Sequence, residues 1–198
     1  MSSLVISGDT SGAVTLQAPS VSGTTTLTLP SVSGTVITTG SSGQVIPKAA
    51  LPTGSVLQVV NATYATEVST SSNTLSDTGL TASITPTSST SKILVFVDMS
   101  GVSKSTGNTQ TNLGFYLLRA STQIIQFEYT ATYTGTDIQN RVGSVSCNYL
   151  DSPATTSSTT YKVQFNSNGS SGTGYVQRGS GGGGTSATST ITLMEIAA

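Results

Sequence analysis

The chain has 198 residues, a formal net charge of -1 and only 8% Asp, Glu, Lys and Arg, against about 25% in a typical soluble domain. Seven basic residues scattered from Lys48 to Arg178 form no cluster that would neutralise phosphates, which argues against nucleic-acid binding. The absence of histidine removes the commonest general base and metal ligand, and no cofactor or metal is expected.

With 35% hydrophobic residues and little charge, the composition is that of a chain that folds. Thr favours strands, while Ser and Gly favour turns, so the expected class is all-β. Residues 1–46 carry one charge, Asp9. The opening Met1 to Ser7 lacks the basic region and long apolar core of a signal peptide, and no run approaches about 18 apolar residues. The expectation is a protein made in the cytoplasm, not exported by the common route and not inserted in a membrane.

Strand-like pieces at Leu4–Ile6, Ala13–Leu16, Thr25–Leu29 and Thr35–Ile37 are separated by turn residues. Within them an eleven-residue repeat begins at Gly12, Gly23 and, in a weaker copy, Gly34. Leu16 aligns with Leu27, Pro19 with Pro30 and Val21 with Val32. In the second copy Leu27 and Leu29 alternate with Thr26 and Thr28, the period of a half-buried strand. An extended unit of that length reaches about 36 Å at most, and one or two such units do not bury enough apolar area to offset the entropy of ordering them. Leu16, Val21, Leu27, Leu29 and Val32 are therefore candidates for contact with other copies of the chain or with a host surface, in a stalk or an extended arm.

Residues 47–54 hold two prolines and a glycine and read as a hinge. From residue 55 to 198 eight longer strands are expected: Ser55–Val60, Leu80–Ile84, Lys92–Asp98, Leu113–Arg119, Thr122–Phe127, Arg141–Tyr149, Thr160–Phe165 and Ser189–Ile196. No helical period intervenes, which points to a sandwich, specifically a jelly roll of two facing four-stranded sheets. Tyr161, Val163 and Phe165 are expected inside, as are Ile191, Leu193 and Ile196, with Thr192 and Glu195 outside. The unbroken apolar run Ile93 to Val97 suggests a strand covered on both faces, the second of them a candidate subunit contact. The Gly-rich stretch 170–185 reads as a flexible loop with no phosphate-cradle motif. Cys147, the single cysteine, is expected to act as a buried small hydrophobe.

The eight acidic residues are dispersed and match no hydrolase motif, so no catalytic residue is expected. Asp98 and Glu195 read as solubilising charges or subunit salt bridges. Tyr129, Tyr133 and Tyr175, with Asp137 and Arg178, lie in or beside polar connections. Tyrosine supplies contact area with a hydroxyl, and arginine a fork of donors, so these five are candidates for binding a saccharide or a protein.

The segments from Ser7 to Pro30 and from Gln44 to Val60 resemble the N-terminal repeat and junction of tail-fibre-like structural proteins of tailed bacteriophages, especially those infecting marine and cyanobacterial hosts. That resemblance implies a virion location, a non-enzymatic role, a homotrimer, and contact with other virion proteins of the tail or capsid. The fibre reading has residues 1–46 docking on the virion and residues 55–198 presenting loops to a receptor. The alternatives are a capsid decoration or cement protein with an extended N-terminal arm, and a glycan-cleaving tailspike.

Overall fold

The computed structural model describes residues 3–7, 13–17, 51–105, 110–133, 141–168, 172–179 and 186–198. The chain divides between Val45 and Ile46 into two compact units. In the first, β1 (Ser3–Ser7) pairs antiparallel with β2 (Ala13–Gln17), setting Leu4 opposite Leu16 and Ile6 opposite Val14. Val21, Leu27, Leu29 and Val32 lie outside the described residues.

The second unit contains β3 (Val56–Tyr64), β4 (Val68–Thr70), β5 (Ser76–Ile84), β6 (Lys92–Lys104), β7 (Asn112–Arg119), β8 (Thr122–Ala131), β9 (Arg141–Asp151), β10 (Thr159–Asn168), β11 (Gly174–Val176) and β12 (Ser189–Ile196). It is an all-β sandwich. One sheet has the order β5-β10-β7-β8; the other runs β3-β12-β6, with β9 on the far edge of β6 and the short pair β11-β4 continuing beyond the end of β12. Successive long strands alternate between the sheets except at the β7-β8 hairpin. This is jelly-roll winding, which lets every long strand bury one face.

All eight expected strands are present; β4 and β11 are additional. The inner faces interdigitate through Ile93, Val95, Val97 and Met99 of β6, Ile191 and Leu193 of β12, Leu113, Phe115 and Leu117 of β7, and Tyr161, Val163 and Phe165 of β10. Phe115 stands opposite Phe165, with ring centroids 6.0 Å apart and nearly parallel. Each large apolar side chain buried here contributes about 1.5–3 kcal/mol.

Two expectations are corrected. In β12 the inward series is Ser189, Ile191, Leu193 and Glu195, so Ile196 faces outward and Glu195 is buried; strict alternation prevails because neighbouring oxygen-seeking donors make an inward carboxylate tolerable. Within one chain the core covers one face of the Ile93 to Val97 run, and Phe96 on the other is 40% exposed. The Gly-rich stretch is not all loop: Tyr175 pairs with Ser69 and Ser103 across β11's two edges, which satisfies backbone groups that the end of β6 otherwise leaves open.

Cys147, opposite Val97, packs half-buried against the core. Burial pushes its thiol up to about 11, so only roughly one part in ten thousand is thiolate at pH 7. An aromatic disulfide reagent is expected to label it only after denaturation; rapid labelling of the native chain would contradict this placement.

Candidate functional site

The site is built where β6 bends. Its ladder with β9 shifts register between Met99 and Val102, and Gly101 takes a φ of 66°, a conformation that glycine adopts without steric cost. A Cβ on Gly101 would collide with the Arg178 backbone. The missing side chain therefore lets the segment after β11 lie against the bulge. Gln177 N donates to Ser100 O at 2.9 Å, and Arg178 N donates to Gly101 O at 3.2 Å. Gln177 is fully buried, and its Nε2 donates to Ser189 Oγ at 3.1 Å.

These bonds aim Arg178 over Tyr175, with the guanidinium carbon 3.8 Å from the ring centroid. Arg178 Nε faces Glu67 Oε2 at 3.6 Å, an ion pair beyond hydrogen-bond range. The arginine is thus held on two sides while lining a cleft of about 300 Å³ with Ser100, Gly101, Val102, Ser103, Gly143 and Ser144. Ser103 is 5% exposed, and among the described residues its Oγ has no hydrogen-bond partner, nor do Gln177 Oε1 and Arg178 Nε. Buried polar atoms left open in this way are rare. The cleft has the lower volume of small-molecule sites, and its serine hydroxyls and the Arg178 guanidinium suit a hydroxyl-rich ligand.

Tyr129 and Tyr133 are 57% and 51% exposed at the end of β8. Neither stacks on Tyr175, yet all lie at one end of the sandwich. Ala131 is opposite Leu113, Leu113 packs on Gly174, and Gly174 is opposite Lys104 at the end of β6. The chain enters β3 at Val56, beside Ile196 and Lys92 at the other end, twelve residues or roughly 40 Å away along β6. Asp137 lies outside the described residues.

Sequence reasoning missed Glu67, Ser100, Gly101, Ser103 and Ser144. Gly101, a lone glycine inside an apolar-periodic strand, was the usable signal, because such glycines mark bulges and close backbone approach.

Three other carboxylates are engaged away from the cleft. Asp77 pairs with Lys162 at 2.9 Å, which, with the bond from Gln164 Nε2, holds its carboxyl below the usual range despite partial burial. Glu128 accepts from the backbone N–H groups of Thr130 and Tyr129, each at 2.8 Å, and is likewise held low. Glu195 is fully buried, not the surface charge expected of it, and accepts from Thr87 N, Thr87 Oγ1 and Gln58 Nε2 at 2.6, 2.7 and 2.5 Å. The chain is a jelly-roll protein with a bulge-built cleft at the end remote from Val56; it matches no family model and no curated protein sequence.

Proposed function

We propose that this is a non-enzymatic structural protein of a tailed-bacteriophage virion, a trimeric tail fibre whose N-terminal repeats dock on the particle and whose jelly-roll head contacts a host receptor. The observation that carries the reading is the polarity of the head. The chain enters at Val56, whereas the exposed Tyr129 and Tyr133 and the Tyr175–Arg178 cleft share the opposite end. A module held at one end and read at the other suits attachment. The repeat's resemblance to phage tail-fibre-like proteins supports the virion side of the reading.

In this function the cleft takes a surface saccharide. Arg178 and the serine hydroxyls supply directional bonds and Tyr175 an apolar ring. Three weak sites engaged together raise avidity by about 10²–10⁴ where geometry permits simultaneous contact.

The test uses particles complemented with altered chains. Deleting residues 1–46 is expected to abolish incorporation. Arg178→Ala is expected to leave incorporation unchanged and to slow attachment to host cells about tenfold, the effect of losing one anchoring arginine. Normal incorporation of the truncated chain would sink the docking claim, and undiminished attachment of the Arg178 variant the receptor claim. Many copies over the shell, in place of a few on the tail, would favour capsid decoration.

A further inference from the structure

The sandwich has two outer faces of opposite character. On the β5-β10-β7-β8 sheet the face carries Thr81, Lys162 and Gln164, with Asp77 on Lys162 and Gln126 opposite Tyr116. On the other sheet, the register places Leu150, Leu94, Met194 and Val59 in one transverse row, each directly opposite the next. Phe96 lies two residues along β6 from Leu94, and Ile196 and Val56 pair at the row's lower border. Val56, Val59, Phe96 and Leu150 are 50%, 55%, 40% and 49% exposed, and among the described residues only Tyr129 and Tyr133 are other large apolar side chains so exposed.

We infer that this face is where copies of the chain meet, an inference that rests on the homo-oligomeric reading above. A row spanning four strands is not scattered surface hydrophobicity; contiguous apolar patches of this kind mark interfaces. Within the row and its neighbours Asn148, Thr192 and Asn61 there is no charge. Depletion of charge with aliphatic and aromatic content is the signature of homo-oligomer interfaces, whereas transient contacts are as polar as ordinary surface.

The size agrees. Four strands about 4.8 Å apart, over seven paired residues at about 3.3 Å each, cover roughly 440 Å² in plan. That plan area, to which side-chain relief adds, is more than half of the ~800 Å² of accessible surface that each partner buries in a stable interface. At the borders of the patch on β6 stand Lys92 and Asp98, both exposed and neither in an ion pair among the described residues. They flank the apolar rows and lie outside them, so charge stands at the rim of the patch and not within it. The patch lies at the end where the chain enters, leaving the cleft end for a ligand.

The experiment uses the full chain with a photo-crosslinking benzoylphenylalanine in place of Phe96, and a control with it in place of Tyr116 on the polar face. Light scattering of the unaltered chain is expected to give about three times its 20.0 kDa mass. Irradiation is expected to yield chain-to-chain adducts from position 96 and few from 116. An oligomer that gives no adduct from position 96 would overturn the face while leaving assembly intact. A monomer at micromolar concentration would overturn both. Adducts from position 96 to a different virion protein in whole particles would assign the face to that protein and overturn self-association. If the position 96 label prevents folding, the same label in place of Val59, which is more exposed, applies the same criteria.

Discussion

Asp151→Ala is expected to destabilise the head by about 4 kcal/mol, because one carboxylate at the sandwich interior satisfies two groups of the opposite sheet. Asp151 extends from β9. Tyr161 of β10 donates its hydroxyl to Oδ2 at 2.7 Å, and Arg119 of β7 donates Nη1 to both oxygens at 2.9 and 2.8 Å. Tyr161 is fully buried, and burial together with the adjacent carboxylate pushes its hydroxyl far above the usual phenol range. Alanine would leave this hydroxyl dry and Arg119, among the described residues, with only the Ser152 carbonyl at 3.3 Å. A loss of that size lowers Tm by about 8–16 °C for a chain of this length, readable from near-ultraviolet circular dichroism of the tyrosines. Tyr161→Phe alone removes the orphaned donor and is expected to cost about 1–1.5 kcal/mol. Combining it with Asp151→Ala should then cost less than the sum of the two. Additive losses would show that the groups are not coupled.

Glu195→Ala is expected to cost about 3–4 kcal/mol, since it strips the acceptor from several donors that tie β3, β12 and the connection from β5 to β6 together. Burial alone pushes the Glu195 carboxyl up, and it is the largest single influence. The bonds from Thr87 Oγ1, Gln58 Nε2 and Thr87 N outweigh it, so the folded value is lowered. A carboxyl depressed on folding contributes stability that is present in full above the unfolded value near 4.3 and is lost as pH falls through the folded value. The difference between wild type and Glu195→Ala should be largest at neutral pH and narrow below about pH 4.3. A difference that is constant from pH 7 to pH 3 would contradict the charged clamp. Asp77 and Glu128 are depressed as well, so wild type and variant should both retain an acid limb.

The strands of the head were legible because period-2 alternation is written locally. Tyr161, Val163 and Phe165 are inside, and Lys162 and Gln164 are outside, as their spacing indicates. The β7-β8 hairpin closes on Ala120 and Ser121, with Ala120 at a φ of 53°. No Asn-Gly or Asp-Gly pair announces that turn; its conformation is supported by the Ala120 N–H donating to Thr160 O at 2.8 Å, a bond from β10. Of the receptor candidates, Tyr175 and Arg178 were recognised by residue type. Their mutual stacking depends on a bulge at Gly101 contributed by a distant strand.

By itself the sequence determined an all-β chain, a charge-poor repeat before a proline-bearing segment, the eight long strands and most of their buried faces. These follow from composition and short-range alternation, which each segment carries without reference to the rest. Only the tertiary structure decided that Glu195 rather than Ile196 points inward, since its acceptors' partners Thr87 and Gln58 lie 108 and 137 residues away. It also decided that Leu150, Leu94, Met194 and Val59 line up across four strands and that three serines gather around Arg178. Register and strand order are set by which faces exclude water together, and that is a property of the assembled sheets rather than of any one strand.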